Sequence, residues 1–365
     1  MSLKIAVQPD EVIHTNGERQ SFSKRWIQLA QGYGIEVVPV DVYARDAIAQ
    51  IATCDAFMWR CTGSAHQRLY AKRLLYAVAE GLDMAIYPSL VDAWYFEDKI
   101  AQHGFFNAAG IPTPQTEIFW SRQHATRFCD TATYPFVLKL AGGIQASNVC
   151  LVHNRNEAMF YIEQLFGSGT VSLGYRPASR SRQWLRRLRN TTEVIRGRNP
   201  GSPTTDAELQ HGYFYVQEFI PGNNCNIRVT IIGSRAFVFR MFNRPDDFRA
   251  SLIDGNMDWN PDKVGEDAIH LAWRAARQLG TQAVAADIIY RDSQPVLVEL
   301  TLNFASWAVR DCPGHWALEG EPDAGKMTWT EGHVEPADAI FEDFVPCIRQ
   351  RHDEPESDAI VTPSG

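Results

Sequence analysis

The chain has 365 residues, of which 45% are hydrophobic and 21% charged, and its formal net charge is −8. That length suits two or three lobes with sizeable cores, and the acidic balance argues against a general or sequence-specific nucleic-acid binder. Seven cysteines, at positions 54, 61, 129, 150, 225, 312 and 347, show neither CxxC nor Cys/His spacing, which reads as reduced thiols in a cytoplasmic protein and not as a disulfide framework or a zinc site.

The opening MSLKIAVQPDE has no apolar signal run, and no stretch is long enough to span a bilayer. Strand and helix patterns alternate from there. KIAVQP reads as a strand, and SFSKRWIQLAQGYG as a helix with Phe22, Trp26, Leu29 and Ala30 on one face. IEVVPVDV, DAFMWRC and MAIYPS read as further strands, separated by the helical ARDAIAQIATC and AHQRLYAKRLLYAVAEG. Such alternation predicts a parallel sheet with helices on its faces. The turn after the first strand lacks GxGxxG, which argues against a dinucleotide site there.

VDAWYFEDKIAQHGFFNAAGIPTP predicts a helix from about Asp92 to Ala109, carrying Lys99 and stopped by Gly110 and the prolines after it. In YPFVLKLAGGIQASNVCLV a strand delivers Lys139. A small-residue turn follows, holding Ala141, Gly142, Gly143, Ala146 and Ser147, and a strand resumes at Val149. Backbone amides of such a turn can lie over phosphates, and a lysine beside it adds point charge. Taken singly, each feature is also what a solvated lysine or an ordinary hairpin looks like.

YFYVQEFIPG is a strand ending near Gln217 and Glu218, and NIRVTIIGSRAFVFRMF is two strands joined at Gly233-Ser234. NRPDDFRAS is a charged loop holding Arg249, and EDAIHLAWRAARQLG has helical spacing. AVAADIIYRDSQPVLVELTLN predicts a hairpin with a five-residue loop, Arg291 to Pro295, which places Asp287 directly across from Glu299. Val296, Val298, Leu300 and Leu302 then share one face, and Glu299, Thr301 and Asn303 the other. Opposed like charges destabilise a sheet, so the pair calls for cations, and an oxygen-only set selects magnesium or manganese. A register off by one residue would instead send the two carboxylates to different faces.

In this order, Lys99, Lys139 with its glycine turn, the VQEFI strand end, DFR, then Asp287 and Glu299, the chain resembles the ATP-grasp superfamily of carboxylate–amine ligases from residue 1 to about 310. FIPGNNCNIRVTIIGSRAFVFRMFNRPDDFRAS is especially similar to the corresponding stretch of enzymes that add glutamate to a ribosomal protein, and of D-alanine–D-alanine and glutathione ligases. The resemblance implies an α/β ATP-grasp fold with nucleotide held between two lobes. It implies a parallel α/β domain over 1–91, a lid subdomain over 92–205 and a metal-binding subdomain over 206–345; beyond it, the polar, proline-containing RHDEPESDAIVTPSG reads as part of a mobile tail over 346–365. The resemblance also implies ATP with Mg2+ or Mn2+. Lys99 and Lys139 would hold α- and β-phosphates under a flap of Gly142, Gly143 and Ser147. The main chain at Gln217, Glu218 and Phe219 would bond the adenine edge, with Ile220 on the ring and Asn226 near the ribose. Arg228 and Arg249 would steady the transferred phosphoryl group, and Asp287 and Glu299 would bind metal. The superfamily reads Glu-x-Asn where this chain has Glu299, Leu300 and Thr301, so either Thr301 or Asn303 would supply the third ligand.

The expected partners are a small-molecule or saccharide carboxylate and an amine or amino acid, with a homodimer possible. A kinase acting on a non-carboxylate acceptor, or a non-catalytic ATP-binding relative, is the alternative. The arginine-rich stretch over 176–198, with Arg182, Arg186, Arg187 and Arg189, reads as a solvated helix resting on Trp184, Leu185 and Leu188, or as a landing surface for an anionic acceptor.

Overall fold

The structure is a computed structural model that describes residues 3–10, 12–13, 19–61, 64–142, 148–173, 208–250 and 256–353. Gly143, Ser147, the arginine-rich stretch and the last twelve residues lie outside the described residues.

The first lobe is a four-stranded parallel sheet built from β1 (Lys4–Val7), β4 (Glu36–Pro39), β5 (Ala56–Met58) and β6 (Ala85–Tyr87), in the order β4-β1-β5-β6. A two-stranded hairpin, β2 (Val12–Ile13) and β3 (Arg19–Gln20), leads into α1 (Phe22–Gly32). The remaining crossovers are α2 (Ala47–Ile51) and α3 (Ala65–Gly81), as the alternating pattern predicts. Ser21 caps α1 by accepting from the Lys24 amide, and Phe22, Trp26 and Ala30 face inward at helical spacing.

The region expected as one helix from Asp92 is two: α4 (Leu90–Tyr95) and α5 (Lys99–Ala108). Glu97 between them adopts a left-handed backbone (φ 51°), which ends the first helix, and Asp98 caps the second by accepting from the Ala101 amide. Lys99 is therefore the first residue of a helix and not a mid-helix residue.

The second lobe, in the span expected as a lid, carries β7 (Thr116–Phe119), α6 (Arg122–Thr131), β8 (Phe136–Lys139), β9 (Val149–Val152), α7 (Arg155–Leu165) and β10 (Phe214–Glu218). Its antiparallel sheet runs β7-β10-β8-β9. Strand β10 thus belongs to the lid, although a boundary at 206 places it in the following subdomain; its backbone partners are β7 and β8.

The third lobe is a seven-stranded antiparallel sheet. It comprises β11 (Cys225–Ile232), β12 (Arg235–Phe242), β13 (Met257–Asp258), β14 (Ala283–Arg291), β15 (Gln294–Thr301), β16 (Gly314–Glu319) and β17 (Lys326–Glu331). One face is covered by α8 (Glu266–Leu279), whose Ile269, Ala272, Ala276 and Leu279 meet Val229, Ile231, Val238 and Val284. Past α9 (Ser306–Arg310), the last described element is α10 (Pro336–Asp353), which joins the other face to the first lobe. Residues 346–353 lie in this helix and not in a tail, because Phe341, Phe344, Val345 and Ile348 bury one face of it despite Pro346. No described helix is long and apolar enough to cross a membrane.

Candidate functional site

Alternation along β11 sends Ile227, Val229 and Ile231 to the core beneath α8 and leaves Asn226 and Arg228 on the opposite face. Arg228 sits in register with Asp287 of β14 and donates to it twice, Nε to Oδ1 at 2.6 Å and Nη2 to Oδ2 at 2.8 Å. This bidentate geometry is the strong form of an arginine–carboxylate contact.

Glu299 lies directly across from Asp287, but by a different route from the five-residue loop. The turn has two residues, Asp292 and Ser293, both left-handed (φ 47° and 66°), so that Arg291 pairs with Gln294. That tighter turn alone would oppose Asp287 to Val298. A β-bulge between Asp287 and Ile288 absorbs Val298 and restores Glu299 to the position opposite. The bulge also changes which apolar residues are inside. Leu297 and Leu300 join the core under α8, while Val298 turns to a cavity shared with Lys99 and Gln217.

Lys99 Nζ is 2.9 Å from Glu299 Oε1, and the lysine side chain is 5% exposed. Two bonds from Gln102, one turn along α5, hold this geometry: its Nε2 donates to the Leu300 carbonyl at 2.7 Å and its Oε1 accepts from the Leu300 amide at 3.0 Å. A side chain thus completes the edge of β15 and fixes the helix against it. The Lys99 amide also donates to the Ala141 carbonyl at 2.9 Å, which ties the start of α5 to the segment leaving β8.

Lys139, at the end of β8, is 4% exposed. Burial pulls its pKa down to about 8, with Glu299 and Asp287 opposing. Burial also disfavours the Lys99 charge, but Glu299 and Glu97 outweigh it and hold that group above the ordinary lysine value. Glu299 is subject to burial as well, yet Lys99 and Lys139 keep it below the usual carboxylate range. For Asp287 burial wins over Arg228, and its carboxyl is raised. Lys99, Lys139, Arg228, Asp287 and Glu299 therefore form one electrostatic cluster.

Two further residues, with no motif to announce them, belong to its surroundings. Glu97 is buried, and burial pushes its carboxyl up to about 7 against the pull of Lys99. Arg68 Nη1 donates to the Glu97 carbonyl at 2.8 Å, and a Cβ at Gly142 would stand 3.3 Å from Arg68 Nη2. Asn148 Nδ2 donates to the Gly142 carbonyl at 2.5 Å, tying the residue before β9 to the segment leaving β8.

The other expected residues are dispersed around this cluster. Gln217 lines the cavity with Lys99 and donates through Nε2 to Thr116 Oγ1 at 3.0 Å. The Glu218 amide donates to the Gln115 carbonyl, and its carboxylate accepts from the Gln115 amide and from Arg291. Phe219 packs edge-on to Phe248, and Ile220 is half-buried just beyond the strand. Arg249 is tied instead to the lid: it pairs with Asp247 at 2.6 Å and donates through Nη1 to the Val149 carbonyl at 3.0 Å. Thr301 pairs with Ala285, on the same face as Asp287 and Glu299. Asn303 lies past the strand and lines a separate cleft with Arg60 and Tyr87.

Magnesium or manganese suits the two opposed carboxylates. Among the described residues no three His, Cys, Asp or Glu side chains gather into a protein-only metal cage. Magnesium is commonly held by one or two carboxylates with phosphate oxygens completing the shell, so the donor set of Asp287 and Glu299 would suit such an ion.

No protein-family model matches the sequence. Solved structures do match its shape. A RimK-domain ATP-grasp protein of Sphaerobacter thermophilus is 16% identical, with a TM-score of 0.52 over 94% of this chain and 99% of that one. The D-alanine–D-alanine ligase of Bacillus anthracis, complexed with ATP, is 13% identical, with a TM-score of 0.55 over 96% of this chain and 99% of that one. D-cycloserine synthetase DcsG is 14% identical, with a TM-score of 0.52 over 93% and 99%. The chain has the ATP-grasp fold.

Proposed function

We propose that the chain is an ATP-dependent carboxylate–amine ligase releasing ADP and phosphate. The observation that carries this reading is the pair Asp287 and Glu299, opposed across the bulge and faced by Lys99, Lys139 and Arg228. Phosphoryl transfer depends on positioning and charge neutralisation more than on covalent help from the protein.

In this reading Lys99 and Lys139 hold the α- and β-phosphates, and Gly142, with Gly143 and Ser147, forms the turn over them. The main chain at Gln217 to Phe219 meets the adenine edge, Ile220 its ring and Asn226 the ribose. Arg228 steadies the γ-phosphoryl group, and Arg249, linked to β9 through Val149, joins it on closure of the lid. Asp287 and Glu299 hold magnesium. The shared strand face favours Thr301 over Asn303 as the further oxygen ligand. When bound, the ion supplies charge neutralisation at the phosphoryl oxygens.

A substrate carboxylate oxygen attacks the γ-phosphorus, the bond to the β–γ bridging oxygen breaks, and ADP leaves. The acyl phosphate is then attacked at its carbonyl carbon by an amine. The bond from that carbon to the phosphate oxygen breaks, phosphate leaves with the electron pair, the nitrogen loses a proton, and an amide remains. The lid keeps water from the acyl phosphate.

The test is ADP release across a panel of amino acids, sugar acids and uronic acids, each with and without an amine. Release that requires both acid and amine supports the ligase. Release with a hydroxyl acceptor alone indicates a kinase, and ATP binding without turnover across the panel indicates a binding protein.

A further inference from the structure

Ligands of open α/β sheets sit outside the carboxyl ends of the strands. Three segments leave that edge of the first sheet side by side: Gln8 to Asp10 after β1, Trp59 to Cys61 after β5, and Pro88 after Tyr87, the last residue of β6. The Gln8 amide donates to the Met58 carbonyl at 3.0 Å and the Trp59 amide to the Tyr87 carbonyl at 2.8 Å. Leu302, Asn303 and Phe304, just beyond β15, close the cleft from the third lobe.

Most of its wall is apolar: Phe22, Trp59, Tyr87, Pro88 and Phe304. Against it stands Arg60, whose guanidinium lies 3.8 Å from the centre of the Phe22 ring and whose side chain is 11% exposed. Its Nη1 is sealed from solvent and has no hydrogen-bond partner among the described residues. Among the described residues it is Asp10 that pairs with it, Oδ2 standing 4.0 Å away. Asp10 is already engaged at the start of α1, where Oδ1 accepts from the Ser23 amide at 2.7 Å and from Ser21 Oγ at 3.1 Å. Burial lowers the Arg60 pKa and Asp10 only partly opposes it. An unpaired buried guanidinium donor is costly, and an arginine fork in an apolar cleft matches a carboxylate.

We propose that this cleft binds the free carboxylate of a small substrate with an apolar body, and that Arg60 anchors it and sets specificity. Its assignment as a substrate site rests on the ligase reading. Glu299 and Leu302 are three residues apart, so at most about 10 Å of chain separates the cleft wall from the carboxylate pair. A substrate of amino-acid size, anchored at Arg60, would extend toward that pair. The carboxylate at Arg60 is a second one, distinct from the group that is activated. It belongs either to an amino acid serving as the amine or to a dicarboxylic acid.

The test is thermal-shift titration of the whole protein, with and without ADP, using alanine and phenylalanine of both hands, their carboxamides, succinate and glutarate. At least one carboxylate should stabilise the parent while its uncharged counterpart does not. Amino acids binding without the diacids assigns the amine substrate, and the reverse assigns the acid. Arg60→Gln should weaken that probe about 10- to 100-fold, the worth of a charge-assisted fork, and leave the ADP shift unchanged. Arg60→Lys, which keeps the charge but not the fork, should lose about 10-fold, and it decides the matter if the Gln variant no longer responds to ADP. The proposal is overturned if no carboxylate shifts the parent, if carboxamides bind equally, or if an ADP-responsive Arg60 variant keeps parental affinity. These arms need no turnover, so a failure of the ligase reading would show separately in the ADP-release panel.

Discussion

Lys139 is the residue whose surroundings make the sharpest claim about nucleotide binding. Burial draws its pKa from 10.5 down to about 8 in the free protein. Its charge is thus present below pH 8 and lost above it. Phosphates arriving beside it favour the charged form, so binding above pH 8 must draw a proton from solution. Calorimetry of ATP binding at pH 8.5, in buffers of different ionisation enthalpy, should show net uptake that disappears in Lys139→Met. Equal heats in all buffers would place the phosphates elsewhere. Both lysines and both carboxylates were legible in the sequence, because each sits on a recognisable strand or helix in a telling order. Glu97 and Arg68 were not. Inside a helix expected from Asp92 to Ala109 a glutamate reads as one more solvated residue, whereas Glu97 is buried with a left-handed backbone.

Elements place these residues, and here a shallow reading of the sequence reaches the right pairing by the wrong path. The five-residue loop and the observed two-residue turn differ by one in register, and the bulge at Val298 cancels that difference. Asp-Ser carries little of the Asn-Gly signal that marks such a turn, and a bulge leaves no trace in alternation. Gln102 was equally silent, since a glutamine on a helix ordinarily faces water. In the structure it completes the edge of β15 at Leu300 and so holds Lys99 against Glu299. Gln102→Met should leave a buried amide and carbonyl unpaired, costing about 1–3 kcal/mol for each group, and should weaken ATP as well. A urea midpoint and an ATP affinity both within error of the parent would show that the contact positions nothing.

At the scale of the molecule, α10 fastens the third lobe to the first. Trp26 Nε1 donates to the Ala337 carbonyl at 3.0 Å, and Arg25 pairs twice with Asp338 at 2.6 Å. Trp26 is fully buried among Tyr87, Phe341 and Phe344. Trp26→Ala should destabilise the protein by about 3–5 kcal/mol, with the loss seen in both lobes in one cooperative transition. A separate early transition of the first lobe would contradict the clamp. Pro346 falls where a tail was expected and ordinarily breaks a helix, yet α10 runs through it because Phe341, Phe344, Val345 and Ile348 bury one face. The central claim is that opposed carboxylates on one hairpin, faced by two lysines and an arginine, drive ATP-dependent amide formation. Its most direct measurement is amine-dependent ADP release by the parent and by Glu299→Gln, with circular dichroism confirming the fold of both. The account predicts at least a 100-fold loss, on the order of what removing one key electrostatic group costs. ADP release by Glu299→Gln close to that of the parent would contradict it.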